Sequence, residues 1–195
     1  MKVFKLEAQI CVFAFVFWSN PQESFAMIST CFKKNLKRIK MAFHIVLIQP
    51  QIPQNTGNIG RLCVATDSIL HLIHPLGFST SQKELKRAGL DYWQHLQVYE
   101  WENLEMFWAH YEVDKHHFFF TTKAQSTHYE ADMSEGGFLY FGREDAGISS
   151  DILHTYKGQT YKLPMVAGVR SINLATSVGA ALYEGVRQSQ CYMGF

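Results

Sequence analysis

Three short stretches combine glycine, carboxamide, hydroxyl and guanidinium groups at spacings that could build a ligand site. The first is Asn55-Thr56-Gly57-Asn58-Ile59-Gly60-Arg61. Glycines where a strand gives way to a helix let backbone approach a ligand closely, and helix N-terminal amides favour anions. Arg61, one to two turns into that helix, carries a planar fork able to hold a phosphate bidentately. The second stretch is Phe141-Gly142-Arg143-Glu144-Asp145-Ala146-Gly147. A strand end followed by charged residues between two glycines suits a tight turn that opens a pocket. The third runs from Leu163-Pro164-Met165 to Arg170-Ser171-Ile172-Asn173-Leu174-Ala175-Thr176-Ser177. There Ser171 and Asn173 offer a donor and an acceptor that could orient a hydroxyl group. Taken singly, each stretch also fits a bland role: a glycine-softened helix start with a surface arginine, an ordinary turn, a pair of helix caps. None is a GxGxxG dinucleotide fingerprint or a Walker phosphate loop. The pairs His71/His74 and His116/His117 sit at strand-like positions without acidic or cysteine partners, so they read as packing or surface residues, and no metal is expected.

The elements that must carry these loops follow from the hydrophobic pattern. Phe43–Ile48 and residues 70–74, 96–99, 117–121, 138–141 and 160–163 are short apolar or β-branched runs bounded by turn residues, and read as strands. Asn55 and Thr56 are N-cap candidates for a helix carrying Ile59, Leu62, Cys63 and Ala65 on one face. Further helices are expected over residues 81–88, 102–111, 148–154 and about 171–188. Strands alternating with helices imply an α/β fold with a mainly parallel sheet flanked by helices. Ligands bind such sheets at the carboxyl ends of the strands, where all three stretches fall.

A chain of 195 residues, 47% hydrophobic, can hold one ordinary core. Its charge is unevenly placed: residues 1–40 carry seven Lys/Arg against two acids, the remainder eleven against fifteen. A mildly acidic domain does not coat nucleic acid electrostatically, so an RNA substrate would need a local basic patch, a paired subunit or the basic extension. Cys11, Cys31, Cys63 and Cys191 form no CxxC pair and read as reduced thiols. Residues 10–18 are apolar behind Lys2 and Lys5, the outline of a secretory signal, but too short for a bilayer span of about 20 residues. The basic run from Lys33 to Lys40, followed by Met41-Ala42-Phe43-His44-Ile45, argues against export. We expect a cytoplasmic, non-membrane protein with one domain over residues 41–190. Residues 1–40 read as an extension, either a mis-assigned start or a poorly ordered segment.

Together, the order, spacing and content of the three stretches resemble the signature motifs of the SPOUT methyltransferases, most closely the small tRNA (cytidine/uridine) wobble-position 2′-O-methyltransferases. Gln49-Pro50-Gln51-Ile52-Pro53-Gln54, Lys86-Arg87-Ala88-Gly89-Leu90-Asp91-Tyr92 and Thr121-Thr122-Lys123 match as well, so the resemblance runs from about Phe43 to Gln188. It implies a sheet whose C-terminal part is tied in a deep trefoil knot, a homodimer, and S-adenosylmethionine bound in a bent form against the knot loops. It also implies methyl transfer to the ribose 2′-hydroxyl of the wobble nucleotide in the tRNA anticodon stem-loop. By motif, Phe120, Gly142, Leu163 and Ser171 would contact the cofactor. Asn55, Arg61, Glu144, Ser171 and Asn173 would form the catalytic set, and Arg61, Lys86, Arg87, Arg143 and Arg170 would meet RNA. A guanidinium rarely gives up its proton, so Arg61 is expected to anchor the neighbouring phosphate and position the hydroxyl rather than act as a base. Tyr92 and Trp93 would either stack on a loop base or pack in the core or dimer. Gly60 departs from the larger residue common among relatives, and Gly168-Val169 from more polar ones. Three alternatives stay open: the same chemistry at another tRNA or rRNA position, a non-catalytic RNA-binding protein of the same fold, and a generic nucleotide-binding α/β protein, which the missing phosphate-loop motifs weaken.

Overall fold

The computed structural model describes residues 42–79 and 91–189. The expectations for residues 1–40, for a helix over 81–88, and for Lys86 and Arg87 lie outside the described residues.

Alternation along the strands decides the layers. In β1 (Phe43–Ile48), Phe43, Ile45 and Leu47 are fully buried on one face and Val46 on the other, as expected when successive side chains point to opposite sides. β1 pairs in parallel with β2 (Ile69–Ile73) and with β5 (Gly137–Phe141). β3 (Val98–Trp101) extends the sheet beyond β2, while β4 (His117–Phe120) and the two-residue β6 (Thr160–Tyr161) extend it beyond β5. The order is β3-β2-β1-β5-β4-β6, and every pairing is parallel. Both faces are therefore covered.

Helices α1 (Pro53–Ala65) and α4 (Leu174–Ser189) cover one face. Ile59 and Cys63 of α1, with Val178, Ala181 and Leu182 of α4, pack on Phe43, Ile45, Leu47, Leu70, Leu72, Phe118 and Leu139. A full side chain of this kind contributes about 1.5–3 kcal/mol on burial. Burial also pushes the Cys63 thiol pKa up, away from reactivity. On the opposite face α2 (Leu104–His110) and α3 (Ser150–Thr155) cover Val46, Ile73, Phe119 and Tyr140.

Histidines belong to this second layer. Trp101 Nε1–H donates to His71 Nδ1 at 3.1 Å, so His71 Nε2–H donates to His44 Nδ1 at 2.9 Å. Desolvation by burial, with the neighbouring His117, lowers the His44 pKa to about 4; burial, with His44 and His110, lowers that of His71 to about 3. Trp108 Nε1–H donates to the Tyr140 hydroxyl (3.2 Å), which donates in turn to His117 Nδ1 (2.7 Å). His74 pairs with Glu100 at 2.9 Å and His116 with Glu135 at 3.5 Å. Packing accounts for His71 and His117. The partly exposed His74 and His116 do meet acidic partners, contrary to the sequence expectation, because Glu100 and Glu135 are brought to them by the fold rather than by local spacing.

The strand expectations hold to within a few residues, and all four described helix starts shift by a few residues, with consequences for the site in α1 and α4. Ile52 occupies the N-cap of α1 and Pro53 its first turn, so Asn55 and Thr56 are buried inside the helix rather than capping it. Proline fits there because its fixed φ suits a helix and its missing N–H would have no intrahelical partner. Helix α4 starts at Leu174, leaving Ser171 in the preceding loop.

Candidate active site

The carboxyl ends of β4, β5 and β6, together with the start of α1, enclose a cavity of about 750 Å³. Its walls come from four segments: Ile52 and Asn55, residues 120–123, residues 141–148, and the stretch from Leu163 through Arg170 to Ser177. Phe120 and Phe141, at the ends of adjacent strands, stack with ring centroids 4.9 Å apart and planes 9° from parallel. They give the cavity an apolar floor. Gly142 follows directly, and a Cβ there would run into the Gly147 carbonyl and the Ile148 amide nitrogen. The 143–147 loop folds back on Gly142 through Gly147 N–H donating to Arg143 C=O at 2.8 Å, with Gly147 at φ 71°. The strand-end glycine is thus required by close approach.

A carboxamide relay joins the loops across the cavity. Asn173 caps α4 with its Oδ1, which accepts from the amides of Ala175 (2.9 Å) and Thr176 (3.3 Å). That fixes its orientation, so Asn173 Nδ2–H donates to Asn55 Oδ1 at 2.9 Å. Asn55 Nδ2–H must then point the other way, and it donates to Glu144 Oε1 at 3.0 Å. Glu144 also accepts from the backbone amides of Gln51 (2.8 Å) and Ile52 (3.2 Å). Each orientation follows from its neighbour. The relay ties the loop after β1, the loop after β5 and the start of α4 into one unit. Glu144 works here as a clamp on the entrance to α1.

The cavity combines the stacked Phe120 and Phe141 rings, backbone at three strand ends and arginines at its rim, a lining that would suit a flat, polar-edged ligand. Residues 42–183 match the profile of the SpoU rRNA Methylase family. The chain belongs to that family. It is 43% identical over 147 residues to a tRNA (cytidine(34)-2′-O)-methyltransferase of Methylovorus glucosotrophus, covering 75% of this chain and 95% of that one. A solved structure described as giving insight into 2-OH methylation of C/U34 on tRNA superposes with a TM-score of 0.73 at 41% identity, covering 78% of this chain and 99% of that one. An AdoMet-bound rRNA methyltransferase from Sinorhizobium meliloti shares the fold, with a TM-score of 0.69 at 20% identity over 79% of this chain and 58% of that one.

In this SpoU methylase the four residues expected at the cofactor, Phe120, Gly142, Leu163 and Ser171, all line the one cavity. Asn55, Glu144 and Asn173 line it too and are bonded to one another. Arg61 is different: it stands exposed on α1 and is not among the residues lining the cavity. Arg170 lines the rim and is exposed. Arg143 also lines it, but its fork is engaged by Asp145, with Nε to Oδ1 at 2.9 Å and Nη2 to Oδ2 at 2.7 Å. Those bonds hold the Asp145 carboxyl below its ordinary pKa and raise that of Arg143. Trp93 packs against the core, and its ring fills the space a Cβ on Gly60 would need. The departure at Gly60 is therefore a packing adjustment. Sequence reading missed the apolar lining residues Ile148, Ile172 and Leu174, whose signal is only their place just after the motif residues.

Proposed function

We propose that this SpoU methylase transfers a methyl group from S-adenosylmethionine to the ribose 2′-hydroxyl of nucleotide 34, a cytidine or uridine, in the tRNA anticodon loop. The observation that carries this reading is the convergence of Phe120, Gly142, Leu163 and Ser171 with the Asn55–Glu144–Asn173 relay on one cavity. The descriptions of two relatives above 40% identity, which name ribose methylation at position 34, support it. We further propose a homodimer, a C-terminal trefoil knot over the segment that includes Leu163 to Asn173, and a cytoplasmic setting. Among the described residues no helix is long and apolar enough to cross a membrane.

The cavity suits the cofactor on its own dimensions. About 750 Å³ lies within the usual range for small-molecule pockets, roughly 300–1,000 Å³. Phe120, Phe141 and Leu163 would cover an adenine ring, and backbone at the strand ends would bond its edge. The cofactor supplies a methyl carbon already activated by sulfonium charge. What this chain must do is align the 2′-oxygen and keep it there. Asn55 and Asn173, locked by the relay, hold the loops that would face the reacting ribose. Arg61 would anchor a neighbouring phosphate from its exposed place on α1, and Arg170 would add charge at the rim. Binding of S-adenosylmethionine by calorimetry, followed by transfer of labelled methyl to tRNA, tests the reading. Cofactor binding with no methylation of any RNA would favour the non-catalytic alternative.

A further inference from the structure

We propose that a second cavity holds the base of the methylated nucleotide, with the Gln49 carboxamide reading its hydrogen-bonding edge; this rests on the ribose methylation proposed above. The cavity, about 320 Å³, lies at the carboxyl ends of β1 and β2. It adjoins the first across the 143–147 loop, because Arg143, Ala146 and Gly147 line both. A nucleotide seated over that loop has its ribose toward one recess and its base toward the other.

The second cavity is lined in the way a flat heterocycle requires. Ile73, Leu104 and Ile152 supply apolar surface, and Gln49 and Ser149 stand among polar residues at its edges that also include His74, Asn103 and Glu105. Gln49 is held at φ 52°, unusual for a residue with a side chain. Its N–H donates to Ile73 C=O at 2.9 Å, and its own C=O accepts from Gln51 Nε2 at 2.6 Å. Conformations of this kind persist where surrounding bonds impose them, and they concentrate at ligand sites. Ser149 occupies the N-cap of α3, yet its hydroxyl makes no capping bond.

The chemistry of a carboxamide matches the two bases. It offers an acceptor and a donor side by side. Cytosine presents an N4 donor beside the N3 acceptor; uracil presents an O4 acceptor beside the N3 donor. Turning the Gln49 carboxamide over satisfies either, so one residue serves both substrates.

The test uses anticodon stem-loops carrying cytidine, uridine or an abasic ribose at position 34, with the full chain and its Gln49→Met and Ser149→Val variants. Gln49→Met should lower kcat/KM on cytidine and uridine by about ten- to a hundred-fold, the scale of a bidentate base contact, with S-adenosylmethionine affinity unchanged. The abasic substrate should be poor for the wild type by a similar factor, and the substitution should then cost less than about twofold more. Ser149→Val, which obstructs the cavity from another element, should give the same pattern. It decides the matter should Gln49→Met disturb cofactor binding. Equal losses on abasic and base-bearing stem-loops, or unchanged turnover in both variants, would overturn the proposal. A wild-type enzyme that methylates none of the stem-loops would instead overturn the ribose-methylation reading.

Discussion

Replacing Asn55 by Asp tests the relay with almost no change in volume. Asn55 is 6% exposed and stands between Asn173 and Glu144. Asn173 cannot turn to compensate, because its oxygen is committed to the amides of Ala175 and Thr176. In Asn55→Asp one carboxylate oxygen goes on accepting from Asn173 while the other meets Glu144 Oε1 at the 3.0 Å that now separates donor and acceptor. One charge-assisted bond, about 1.5–3 kcal/mol, is lost, and repulsion between two partly solvated carboxylates adds to it. The expected destabilisation is about 2–4 kcal/mol at pH 8, a fall in Tm of roughly 5–15 °C for a domain of this size. The sign of the pH dependence follows. Protonating the new carboxyl restores a donor toward Glu144, so its pKa is raised in the folded state above the unfolded value near 4. The stabilisation from that proton is fully present below the unfolded pKa and is lost as pH rises through the folded one. Urea denaturation of wild type and variant at pH 5 and pH 8 measures this. A deficit below about 0.5 kcal/mol at pH 8, or one equal at both pH values, would refute the relay.

Other consequences follow from the same geometry. Gly142→Ala should displace the 143–147 loop and weaken S-adenosylmethionine binding more than tenfold by calorimetry, since the added Cβ meets Gly147 and Ile148 backbone; unchanged affinity would show that the loop yields freely. Arg61→Ala should abolish most methyl transfer while leaving cofactor affinity intact, and Arg61→Lys should recover little of it, because an ammonium cannot pair bidentately; near-full turnover of the lysine variant would sink phosphate anchoring. His44 and His71, lowered to about 4 and about 3 by burial, bind protons in the unfolded chain before they do in the folded one. Their contribution is present above about pH 6.5 and is lost as pH falls toward their folded values. His71→Phe should therefore flatten the loss of stability between pH 7 and pH 5, and an unchanged slope would mean that other groups cause it.

The strands were legible because their signal is local. Alternating burial in β1 and the apolar runs of β4 and β5 are written in consecutive residues. Helix starts were less so. Asn55-Thr56 has the composition of a cap, but Pro53 takes the first turn, and the Asn55 carboxamide is spent on Glu144 and Asn173, 89 and 118 residues away. Such a partnership leaves no local trace. The grouping of the candidate site's loops was legible by motif alone: Ser171 and Leu163 have no distinctive composition, and they count only because their loops end at the same cavity. The histidines His71 and His74 look alike in sequence, yet one is sealed beneath Trp101 while the other pairs with Glu100 at the surface. Only packing separates them.

Ribose methylation at the wobble nucleotide is the role proposed for this cavity. Its most direct test is to incubate the protein with labelled S-adenosylmethionine and unmodified tRNA, then map the methylated nucleotide by nuclease digestion and mass spectrometry. The expected product carries a single 2′-O-methyl group at position 34, on cytidine or uridine, and it is absent with Arg61→Ala. Methylation of a base, or of a ribose elsewhere in the tRNA, would contradict it.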